Sequence, residues 1–138
     1  MRTKEDILKE IKEFGFPDNE VAISADDFFD NDNYSESCIG VNIYPDPPPN
    51  EVFYQTFKDL IASRKAEKIF VRISDVDEPE EWFFSDTVYI ISSLKEKELK
   101  ESINILRPDE VNEEWMYGKP VNVDDIKEGQ KVYSVFWD

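Results

Sequence analysis

Residues 25 to 37 read ADDFFDNDNYSES. Asp26, Asp27, Asp30, Asp32 and Glu36 surround the adjacent Phe28 and Phe29, and no basic residue interrupts them. Carboxylates this dense can coordinate a hard cation, run acid–base chemistry, or face a cationic surface. A calcium loop of EF-hand type needs oxygen ligands at its first, third and fifth positions, glycine at the sixth and glutamate at the twelfth. Starting from Asp30 puts Tyr34 fifth, Ser35 sixth and Val41 twelfth; starting from Asp26 puts Phe28 third and Ser37 twelfth. Neither register fits. The expectation is no cofactor, with an irregular divalent-ion site left open as an alternative. The phenylalanine pair reads as a loop anchor: at least one ring enters the core, and the other is available to a partner. A second segment, EPEEWFFSD over residues 78–86, repeats the acidic-aromatic theme, with Trp82 as its candidate anchor.

Other catalytic chemistry finds little support. The chain has no histidine, which removes the commonest general base and transition-metal ligand and every histidine-based triad. The glycines Gly15, Gly40, Gly118 and Gly129 are too scattered to cradle a phosphate. Ser92 and Lys95 match S-x-x-K, but no K-T-G element accompanies them. Cys38 is the lone cysteine, so no internal disulfide can form, and its thiol is expected to be buried and inert. No catalytic residue is assigned, and the reading leans away from an enzyme.

Charge says more. The net charge is −16, and from Glu13 to Phe57 there is no Lys or Arg while Glu13, Asp18, Glu20, Asp26, Asp27, Asp30, Asp32, Glu36, Asp46 and Glu51 are all acidic. Such a chain repels nucleic-acid phosphates and anionic membranes, so neither is expected as a partner. The longest apolar runs, such as residues 88–91, are far too short to span a bilayer, and no leader is evident. Cytoplasmic residence is the expectation.

The elements that must hold these residues point to an α+β fold. Helices are expected over residues 4–14, 51–64 and 94–105. Thr3 with Asp6 opens the first, and Ser93 with Glu96 opens the third. Strands are expected over residues 21–24, 38–44, 69–73, within 82–92 and over 131–137. The order is α-β-β-α-β-β-α-β. It predicts a single domain over residues 1–138 with a mainly antiparallel sheet of about five strands and three helices. The acidic stretch then joins the first two strands as a long hairpin loop, and residues 108–110 form a turn. The nineteen aromatic residues (ten Phe, six Tyr, three Trp) supply an adequate core.

Three segments carry a resemblance: WFFSDTV over residues 82–88, RPDEV over 107–111, and the terminal FWD. The chain resembles a group of small uncharacterised bacterial proteins with W-P-F-S-D-T-V, P-D-E-V and closing W-W-D segments. Phe83 departs from that pattern, standing where proline is expected. The resemblance implies bacterial origin and a domain ending at Asp138, and it transfers no function.

These observations favour an acidic protein-interaction domain, in its most concrete form an inhibitor or immunity-type protein that neutralises a cationic protein partner. The expected contact residues are Asp26, Asp27, Phe28, Phe29, Asp30, Asp32, Glu36 and Trp82. Two alternatives remain: a carboxylate-rich small-ligand or divalent-ion binding protein or enzyme, and a generic acidic domain.

Overall fold

The structure, a computed structural model, describes residues 3–30, 39–74 and 82–138. The first helix, α1 (Lys4–Glu13), starts as its sequence predicts. Asp6 N–H donates to Thr3 Oγ1 at 3.1 Å, and Thr3 N–H donates back to Asp6 Oδ2 at 3.2 Å. This reciprocal pair satisfies two amides that the helix leaves open. Ile7 and Ile11, one turn apart, form the buried stripe. Gly15, at φ +98°, reverses the chain at the helix end.

Among the described residues, five strands follow with three more helices and a 3₁₀ turn between them. In chain order these are β1 (Ala22–Ser24), α2 (Ala25–Phe29), α3 (Asn50–Ala62), β2 (Lys68–Arg72), β3 (Thr87–Ser92), α4 (Glu96–Ser102), the turn Asn104–Leu106, β4 (Glu110–Asn112) and β5 (Lys131–Phe136). The strands form one antiparallel sheet in the order β1-β2-β3-β5-β4. The α+β class and the five-stranded antiparallel sheet therefore match expectation, but the membership and connections of the sheet differ.

Residues 39–44 are not a strand; they make only an isolated parallel bridge, Ile39 to Ser85. Gly40 is the reason. Its φ of +64° turns the backbone, and Ile43 N–H closes the turn on Gly40 O at 3.1 Å. A β-carbon there would lie 2.8 Å from Ile43 Cδ1 and 3.0 Å from Phe53 Cζ, so only glycine lets the turn press onto the core. β1 pairs instead with β2, setting Ala22 opposite Arg72. The fifth strand is β4, where a turn was expected; Val111 pairs with Val135 on β5. The third expected helix is also shorter. It begins at Glu96, and its N-cap is Lys95 rather than the expected Ser93, with no side-chain cap bond; ahead of it the Ser92 hydroxyl accepts from Leu94 N–H and donates to Lys65 O.

The sheet register divides its side chains between two apolar layers. Ile23, Ile69, Val71, Val88, Ile90, Tyr133 and Val135 meet the helices through Ile7, Phe53, Phe57, Leu99 and Leu106. On the other face, Ala22, Tyr89, Ile91 and Val132 pack with Trp115 and Val123 from the segment between β4 and β5. Trp115 meets the Tyr89 ring edge-on at 5.0 Å. Among the described residues no helix is long and apolar enough to cross a membrane.

Candidate interaction site

The acidic stretch starts as a helical turn rather than a loop. β1 ends at Ser24, whose Oγ accepts from Asp27 N–H at 3.1 Å and so caps α2. Helical spacing then sorts the residues. Ala25 and Phe28 point into the core, while Asp26 and Asp30 are exposed and Asp27 is half-buried. The short helix is fastened at its apolar side. Trp82 Nε1 donates to Phe28 O at 2.8 Å, and the two rings lie 6.4 Å apart. Phe29, half-buried, lies against α3: it stacks on Phe53 at 6.3 Å and Tyr54 at 5.7 Å.

Phe28 and Trp82 are thus core residues, 2% and 6% exposed, and only Phe29 of the three leaves part of its ring at the surface. Of the expected contact carboxylates, the structure brings Asp26, Asp27 and Asp30 together on one short element. Asp32 and Glu36 lie outside the described residues, as does Cys38.

Tyr54 registers the local field. Its hydroxyl donates to Asp26 Oδ1 at 2.7 Å. Burial first, then that hydrogen bond and the charges of Asp26, Asp30 and Asp27, push its phenol well above the ordinary tyrosine range. The ammonium of Lys58 sits 4.3 Å from the centre of the same ring, a cation–π contact inside the acidic field. Beside Asp26 opens a cleft of about 280 Å³, with Phe57, Ile61 and Ile69 in its wall and Lys58 and Lys68 among its lining residues.

Charges are differently arranged at the opposite end of β2. Arg72 binds Glu20 through two nitrogens, Nε at 2.5 Å and Nη2 at 3.2 Å. It also reaches Ser74 Oγ at 3.0 Å and lies 3.6 Å from Asp86. Its guanidinium covers the Tyr117 ring at 3.7 Å. Burial opposes the charge of Arg72, but Glu20 and Asp86 outweigh it and raise its pKa. Burial also raises the Tyr89 phenol, against the lowering effect of Arg72. The partner of Arg72 was not legible in the sequence, because Glu20 lies 52 positions away.

Within the span free of Lys and Arg, Glu13, Asp18, Asp26, Asp30, Asp46 and Glu51 are exposed. Among the described residues no group of three or more His, Cys, Asp or Glu side chains is placed to hold a metal ion. A family model described as the Uncharacterized protein YfbO family matches residues 2–135. The match extends well beyond the C-terminal segments that carry the sequence resemblance. No curated protein and no solved structure matches the chain.

Proposed function

The chain belongs to the Uncharacterized protein YfbO family, and we propose that it acts as an acidic protein-interaction module whose partner is a cationic protein. One observation carries this reading. In the span from Glu13 to Phe57, which holds no Lys or Arg, six described carboxylates are exposed. A surface of one sign steers an oppositely charged partner and speeds encounter. Its most concrete form is an inhibitor or immunity-type protein, whose carboxylates occupy a groove that a nuclease toxin keeps positive for phosphate. Asp26, Asp27 and Asp30 on α2 are the described residues of the contact, with Phe28 and Trp82 holding that helix in place from beneath.

The test is affinity capture from the host, followed by titration of the purified partner at low and at high salt. The expected result is a loss of affinity of roughly tenfold or more across that range, since exposed ion pairs are screened. Neutralising α2 as Asp26→Asn with Asp30→Asn should lower the association rate more than it raises the dissociation rate. A tight partner indifferent to ionic strength sinks the electrostatic reading.

A second reading draws on the cleft beside Asp26. With an apolar wall and both Asp26 and Lys58 in its lining, it suits a small amphipathic ligand carrying both charges. Calorimetry with zwitterionic amino acids tests it directly, and heat that survives Asp26→Asn counts against it.

A further inference from the structure

We infer that the protein docks its partner through Tyr44, on the proline-rich loop ahead of α3, and that the occupant is a basic polypeptide segment carrying an apolar pocket or side chain; the inference rests on the interaction reading above. Tyr44 is 89% exposed, the highest value among the large apolar side chains of the described residues. An exposed aromatic on a loose loop loses its binding energy to ordering. This loop is held on both sides. Before Tyr44, the Gly40–Ile43 turn packs against Phe53. After it, Pro48 is buried. Arg107, which follows the turn Asn104–Leu106, reaches across and donates to the carbonyls of Tyr44 and Asp46. Prolines at 45, 47, 48 and 49 restrict φ through the whole segment. A tyrosine has few rotatable bonds, and on a pre-ordered loop it can contribute contact area at low entropic cost.

The surroundings select the partner's chemistry. Asp46 and Glu51 are exposed beside the loop. Arg107 also lines a cleft of about 370 Å³ whose other residues include Asp109 and Glu110. Lys100, at the same cleft, stands 3.5 Å from Glu96. Ile105, on the turn that Arg107 follows, is 63% exposed and offers a second apolar side chain. In these segments Asp46, Glu51, Asp109 and Glu110 outnumber Arg107 and Lys100, and an aromatic projection in such surroundings matches a basic segment that offers an apolar seat next to Lys or Arg.

Shift mapping on the ¹⁵N-labelled full chain tests this with three probes: poly-lysine, a lysine-rich peptide interspersed with leucine and tryptophan, and the same peptide with its lysines replaced by glutamine. The expected result is that both cationic probes perturb α2, while only the leucine- and tryptophan-bearing cationic peptide perturbs Tyr44, Asp46 and Ile105. Tyr44→Ala should weaken that peptide roughly tenfold or more and leave poly-lysine binding unchanged, with Tyr44→Phe close to the parent. Perturbation of α2 without Tyr44 overturns this surface and leaves the electrostatic reading intact. Perturbation of Tyr44 by the glutamine peptide as strongly as by the lysine peptide keeps the surface and removes the cationic partner. If neither cationic probe perturbs either region, both fall.

Discussion

The α2 turn and the proline loop each combine aromatics with carboxylates, and they use them in opposite ways. At α2 the rings face inward: Phe28 is 2% exposed, and Trp82 from a distant segment hydrogen-bonds its carbonyl. In the proline loop the fastening comes from Gly40, Pro48 and Arg107, and the ring of Tyr44 is left outside. An aromatic beside acids is therefore not one kind of feature. When the ring itself is the anchor, it is spent on the core. When backbone groups and prolines anchor the loop, the ring is free for other work.

Substitutions can break that contrast, beginning with the largest effect. Trp82→Ala removes a buried indole together with its bond to Phe28 O. It should cost about 3–5 kcal/mol in urea unfolding, and α2 should lose hydrogen-exchange protection before the sheet does. Gly40→Ala attacks the fastening of the other loop. The positive φ and the close approach to Ile43 and Phe53 predict a loss of about 2–3 kcal/mol, read from the same denaturation curve.

A smaller effect comes from pH. The Tyr54 phenol is held above its ordinary value of 10.0, chiefly by burial and then by Asp26. A raised pKa means the folded chain keeps its proton where the unfolded chain gives it up. The stabilisation is full below pH 10, the unfolded value, and is lost as pH rises toward the folded value. Tyr89, raised first by burial, acts in the same direction. The urea midpoint should therefore fall as pH climbs past 10, and Tyr54→Phe should flatten that fall; an unchanged slope in the variant removes Tyr54 from the account. Smallest of all, Tyr44→Ala should move stability by no more than about 0.5 kcal/mol, because its side chain is almost wholly in water. A large loss there would mean the ring packs on something and would remove the contrast between the two regions.

Local signals were legible where the chain answers to itself. The Thr3–Asp6 box and the strands β2, β3 and β5 follow from spacing and cap chemistry. Residues 38–44 misled because Ile39, Val41 and Ile43 alternate as a strand would, whereas the turn at Gly40 leaves Val41 39% exposed. β4 was missed because three residues carry too short a pattern to read, and only β5 beside it makes it a strand. Of the residues proposed for the contact, Asp26, Asp27 and Asp30 were singled out by charge; the structure sets the first two on α2 and Asp30 at its C-cap. Phe28 and Trp82 were singled out as anchors, and nothing in their neighbours along the chain told which way the rings would turn. Tyr44 was passed over as the end of an expected strand.

Composition and order alone determined the charge, the exclusion of histidine chemistry, the α+β class and the cap of the first helix, because the first two are counts over the chain and the others follow from local spacing. Tertiary structure decided the rest. It matched β1 with β2 across the acidic stretch and closed the outer side of β1 with Asn122, whose side chain bonds both Ala22 N–H and Ala22 O. It also joined Arg72 to Glu20, and it sent Phe28 inward and Tyr44 outward. Each of those outcomes is set by a partner tens of residues away, and the free energy that chooses it, burial of a ring or satisfaction of a polar group, exists only once the two segments have met.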